Sequence, residues 1–137
     1  MAALSADRNT KKRKGPAEFP VKASIRIYQG SLVVLDAGYL APARTATGLI
    51  AAGMAMAHYD NSTGSAGAIK GAAECGTFKF GNSSAGDLIA QADVGADCYI
   101  VDDQTVAKSS GTGTRSRAGK IMSVDSDGVW VKIGVGI

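Results

Sequence analysis

Long apolar runs are missing from this chain of 137 residues. No stretch approaches the roughly 20 apolar residues that cross a bilayer as a helix. The start carries charges followed by more charges where a secretory signal would place an apolar segment. The expectation is synthesis in the cytoplasm, no signal-directed export and no membrane partner. Histidine and cysteine are almost lacking as well. His58 is the only histidine, and Cys75 and Cys98 stand far apart with no second cysteine or paired histidine beside either. That excludes a zinc spacing and leaves two buried free thiols as the expected state. Aromatic residues make up only 6% of the chain while glycine reaches 18 residues, a balance that points to many turns around a thin core.

Catalysis by nucleophile or acid–base transfer needs a poised histidine, a reactive cysteine or converging carboxylates. His58 sits in a run rich in alanine and methionine and reads as structural, so neither an enzyme nor a cofactor is expected. The segment Gly111-Thr112-Gly113-Thr114-Arg115-Ser116-Arg117-Ala118-Gly119-Lys120 resembles a phosphate-binding loop at first sight but fails twice. Its glycine spacing is one residue too long, and Ile121 stands where a magnesium-binding hydroxyl is required. It reads as a flexible surface loop with Arg115 and Arg117 free for a partner's carboxylates. Asp87, Asp93, Asp97, Asp102 and Asp103 match no calcium-loop spacing, and Asp125-Ser126-Asp127-Gly128 lacks the later glutamate of an EF-hand. No metal is expected. Asn61-Ser62-Thr63 and Asn82-Ser83-Ser84 read as turns, with no implication of glycosylation.

What is present is a charge run. Residues 1–20 hold Arg8, Lys11, Lys12, Arg13 and Lys14 against Asp7 and Glu18, and the rest of the chain balances its acids and bases, so the formal net charge of +3 belongs to this segment. Gly15, Pro16 and Pro20 interrupt any helix there, so an extended basic N-terminal arm over residues 1–20 is expected. It reads as a solvated tail, a protein-docking arm or a nucleic-acid arm. No aromatic residue is interleaved with the cations, which removes the stacking platform of a single-strand binder and leaves no specific nucleic-acid partner.

From Val21 to the end, short apolar runs alternate with clusters of Gly, Asp, Asn and Ser. This predicts one all-β domain over residues 21–137, a small β-barrel or β-sandwich of short antiparallel strands. Ile25–Tyr28 and Leu32–Leu35 are expected to form a first hairpin around Gln29-Gly30-Ser31. Leu49–Tyr59 is read as strand despite its alanines. Residues 64–76 are indecisive. Thr77–Phe80 and Cys98–Val101 are strands, and Gly86–Ala92 is a single helical turn. Asp127-Gly128 suits a type I′ turn. That register puts Met122, Val124, Val129, Val131 and Ile133 on one face, with Ile121 and Trp130 on the other. Because every strand signal follows Pro20, the domain is expected to fold without the arm.

Several segments together carry a family resemblance. They are Ala6–Thr10, Gly30–Tyr39, Asp60-Asn61-Ser62, Phe78–Ser83, Cys98–Ala107 and Asp127–Val131. The chain resembles the capsid cement, or head-fibre, proteins of tailed bacteriophages. The resemblance implies a structural protein on the outer capsid surface of the virion that bridges subunits of the major capsid protein, with self-association as a trimer or dimer. Capsid contact is then expected at Arg8, Lys11, Lys12, Arg13 and Lys14, with Tyr39 and Trp130 as apolar anchors. The alternative is a basic-armed nucleic-acid-binding accessory protein.

Overall fold

A computed structural model describes residues 2–137. Twelve strands follow one another along the described chain. They are β1 Ala17–Pro20, β2 Ile25–Ile27, β3 Leu32–Asp36, β4 Tyr39–Pro42, β5 Ile50–Ala55, β6 Tyr59–Asn61, β7 Lys70–Glu74, β8 Gly76–Phe80, β9 Asp97–Ile100, β10 Val106–Ala107, β11 Arg117–Asp125 and β12 Gly128–Ile133. Two short 3-10 turns, Ala85–Asp87 and Gln91–Asp93, replace the single turn expected near Gly86. The strands form two five-stranded antiparallel sheets, ordered β1-β7-β5-β3-β4 and β10-β9-β11-β12-β8, and a two-stranded ribbon, β2-β6. None of the sheets closes, so the all-β fold is sandwich-like and not a barrel.

The packing explains the sequence pattern of β3. Leu32 and Val34 enter the larger core with Ile100, Ile121, Val129, Val131 and Ile133 of the second sheet. Val33 and Leu35 point the other way, into a smaller core with Val21, Ile27, Leu40 and Ala73 beneath the ribbon. A strand buried on both faces needs a continuous apolar run instead of alternation, and Leu32-Val33-Val34-Leu35 supplies it.

Three local expectations give way to longer-range pairing. The first hairpin is not β2–β3. Strand β2 pairs with β6, and β3 turns directly into β4 through Ala37 and Gly38, both at positive φ. Those are the torsions of a type I′ turn, found here instead of at Asp127-Gly128. The last hairpin turns on Ser126-Asp127, since Asp125 pairs with Gly128 and Val124 with Val129. Gly128 is a glycine for a different reason: a Cβ there would press on the Phe80 carbonyl and the Lys79 side chain of β8. A bulge between Ile121 and Ser123 then exchanges the faces upstream. Ile121 is buried in the core and Met122 is exposed, the reverse of the expectation.

The sheet also begins earlier than the sequence implied. Ala17–Pro20 pairs with Lys70–Ala73, and Phe19 packs against the smaller core. The arm therefore ends at Pro16, four residues before the expected boundary. A chain starting at Ala17 is expected to melt at the same temperature as the full chain, whereas one starting at Val21 loses an edge strand and the Phe19 contact, about 2 kcal/mol. Thermal melts of both, followed by circular dichroism, check this; equal midpoints would show that β1 adds nothing.

Candidate interaction surface

Residues 2–16 form neither strand nor helix, and every one of them is exposed. Arg8, Lys11, Lys12, Arg13 and Lys14 have no ion-pair partner among the described residues. The body is different. Lys22 and Arg44 share Asp36, Arg26 holds Asp60, Lys79 holds Asp125 and Asp127, Lys108 faces Asp93, Arg115 binds Asp87, and Arg117 and Lys120 share Asp97. Among the described body cations only Lys70 and Lys132 are left outside such pairs. Positive charge available to a partner is thus concentrated on the arm, where no described acidic side chain pairs with it.

Two residues expected to be available are committed. Arg115 Nη1 donates to Asp87 Oδ2 at 3.2 Å and to the Ser109 carbonyl at 3.1 Å. Arg117 Nε lies 2.8 Å from Asp97 Oδ1, and its Nη1 donates to the Ile137 carbonyl at 2.6 Å. The glycine-rich loop is therefore tied down at its C-terminal end, where β11 begins, and neither arginine is free to reach a partner's carboxylate.

Trp130 and Tyr39 lie on different sheets, so the structure does not bring the two anchors together. Trp130 is on the outer face of the second sheet, 37% exposed. Its indole Nε1 donates to Asp125 Oδ2 at 2.8 Å, and Lys79 Nζ stands 5.8 Å from the ring centroid. Held from both sides, the ring is a preorganised apolar surface. Tyr39 is half-exposed just after the β3–β4 turn and close to Gly67. His58 lies between β5 and β6 and meets the Tyr28 ring edge-on, with centroids 5.3 Å apart.

The cysteines divide. Cys98 is buried, and loss of hydration pushes its thiol up to about 12, which leaves it protonated and unreactive. Cys75 is exposed, contrary to the expectation of two buried thiols. Among the described residues no group of three or more His, Cys, Asp or Glu side chains is placed to hold a metal ion. No described helix is long and apolar enough to cross a membrane.

The paired carboxylates make a pH prediction. Hydrogen bonds from Ser62, then the Arg26 guanidinium, hold Asp60 down at about 2. Asp36, Asp87, Asp97 and Asp127 are lowered too, chiefly by Lys22, Ser109, Lys120 and Lys79 respectively. A carboxylate depressed on folding contributes stability above its unfolded value near 4, and loses it as pH falls through the folded value. The melting temperature should be flat from neutral pH to about 5 and fall below about 4. Asp60→Asn should reduce the steepness of that fall, and an unchanged profile would contradict the role given to Asp60.

Fold and surface together define a sandwich-like all-β protein with an internally neutralised body and an exposed cationic arm. No family model, curated protein or solved structure matches the chain.

Proposed function

We propose that the protein is a structural capsid decoration protein, which binds the outer surface of an assembled phage head and stabilises it by bridging subunits of the major capsid protein. The observation that carries this reading is the five cations without an ion-pair partner among the described residues, on an exposed arm joined at Ala17 to a body whose own charges are largely neutralised. Such an arm can engage an acidic protein surface without disturbing the fold that displays it. Trp130, held by Asp125 and Lys79 on the second sheet, offers a separate apolar anchor in the role the resemblance implies. The mechanism is linkage. A ligand that binds the intact shell better than the ruptured shell stabilises the intact shell by the difference, and the effect is repeated across the lattice.

The test compares shells with and without the protein on heating, with DNA release followed by dye fluorescence. Release should shift to higher temperature in the decorated shells, and equal curves at saturating occupancy would overturn the proposal. In a separate kinetic measurement of binding to empty shells, neutralising Arg8, Lys11, Lys12, Arg13 and Lys14 should slow association at low salt by about tenfold and flatten its salt dependence. Preference for naked DNA over empty shells would instead favour a basic-armed nucleic-acid-binding protein.

A further inference from the structure

A groove of about 280 Å³ opens where the ribbon meets the edge strand β4. Ile25 of β2 and Ala41, Pro42 and Ala43 along the end of β4 give it an aliphatic lining, and Lys22 and Arg44 stand at its rim. Both cations reach one carboxylate oxygen, with Lys22 Nζ 2.7 Å and Arg44 Nη2 3.0 Å from Asp36 Oδ2. One carboxylate against two cations leaves a positive charge in excess. A matching occupant combines an aliphatic side chain with a nearby carboxylate.

The arm carries such a segment. Residues 2–7, Ala-Ala-Leu-Ser-Ala-Asp, are exposed throughout. Leu4 is 72% exposed, more than any other large apolar side chain described, and Asp7 has no cation partner among the described residues. An exposed leucine beside an unpaired carboxylate complements an aliphatic groove with a cationic rim.

We propose that residues 2–7 of one copy dock into this groove on a second copy, with Leu4 against Ile25 and Pro42 and Asp7 at the Lys22–Arg44 rim. Charge distribution favours the second copy over the chain's own groove. Arg8 follows Asp7 to the rim in either arrangement, but folding back would also return Lys11–Lys14 to the body that carries Lys22 and Arg44, whereas exchange lets that run lead away toward the other body. The nine residues from Arg8 to Pro16 reach up to about 30 Å when extended, enough to cross to a neighbour. Each copy gives one segment and offers one groove, so reciprocal exchange closes a dimer and one-way exchange builds larger rings or open chains. It needs no shell and stands or falls separately from the decoration role.

Sedimentation of the full chain across a wide concentration range tests it. Association should appear as concentration rises, and Leu4→Ser, placed in the exposed arm where it cannot disturb the body, should weaken it about tenfold or more. Arg44→Ala should weaken it as well, with an unchanged melting temperature showing that the body is intact. The exchange Asp7→Arg with Arg44→Asp should recover part of what either single change loses. A synthetic peptide of residues 2–10 should bind the Leu4→Ser protein and bind its Arg44→Ala derivative less. A chain that sediments as a monomer throughout overturns the proposal, and so does association indifferent to Leu4→Ser. Protection of Ile25 from hydrogen exchange that depends on Leu4 in a monomer would mean docking on the chain's own groove, and would also overturn it.

Discussion

Gly53→Ala is expected to destabilise the protein by about 4 kcal/mol, the sum of a strain cost and an overpacking cost that act at the same atom. Gly53 lies in β5, the middle strand of the first sheet, at φ +139°, where L side chains are strained whatever the space around them. The space is also filled. A Cβ at Gly53 would overlap the carbonyl of Glu74 in β7, which is backbone and cannot swing away. Here β3 opposes β5 through a bulge, pairing Val33 with Gly53 but Val34 with Ala51, and β5 turns its next residues to β7. The glycine lets β5 serve both neighbours. Gly48→Ala is the control, because Gly48 has φ +75° and nothing within 4 Å of its virtual Cβ; it should cost only about 1 kcal/mol. Thermal unfolding of both variants separates the two costs, and equal losses would show that the β5–β7 approach is not tight.

The elements that could be read from sequence are those whose signal is local. Thr77–Phe80 alternates in the sequence and forms β8 with both phenylalanines turned to the larger core. The apolar block at Leu32–Leu35 is β3, and the alanine-rich run after Leu49 is strand as expected, but only to Ala55: the chain bends there and Tyr59 opens β6 in the ribbon, so the run expected to reach Tyr59 is divided between two strands. Pairing between distant segments was not legible. Strand β2 has only three residues and takes its partner from β6, well beyond the Gln29-Gly30-Ser31 turn expected to close it onto β3. Residues 64–76 gave no signal because β7 works through its lack of side chains. A Cβ at Gly71 would crowd Tyr59 and Leu40, and Tyr59 accepts the Ala72 amide hydrogen bond on its hydroxyl at 2.9 Å.

The same division holds at the interaction surface. A basic run is visible in sequence because its charges are neighbours along the chain. The neutralisation of the body is not, because Arg115 and Arg117 find Asp87 and Asp97 only once the second sheet and its connections have formed. The groove at Lys22 and Arg44 was missed for a related reason. Its lining is drawn from β2 and β4 and its shared carboxylate from β3, three segments that no spacing rule joins.

Asn61→Asp should be destabilising by about 3 kcal/mol at neutral pH, and by less in acid, opposite to the pH trend of the unmodified chain. Asn61 is buried, and its amide Nδ2 faces three carbonyl oxygens: Lys22 at 2.9 Å, Ser65 at 3.0 Å and Val21 at 3.4 Å. One side chain thus fastens the ribbon strand β6 to the segment leaving β1 and to the turn after β6, holding the cover over the smaller core. Aspartate keeps the shape but replaces the donors with acceptors, so a carboxylate would face carbonyl oxygens in a site with little water. Its folded pKa must lie above the unfolded value near 4. The penalty is full at pH 7 and shrinks as pH falls through that raised folded value, because the protonated acid regains one donor. Denaturant titrations of both proteins between pH 7 and 4 should show the gap narrowing. A constant gap would mean that the site admits enough water to hydrate the charge, and that the three carbonyl contacts do not fasten the ribbon.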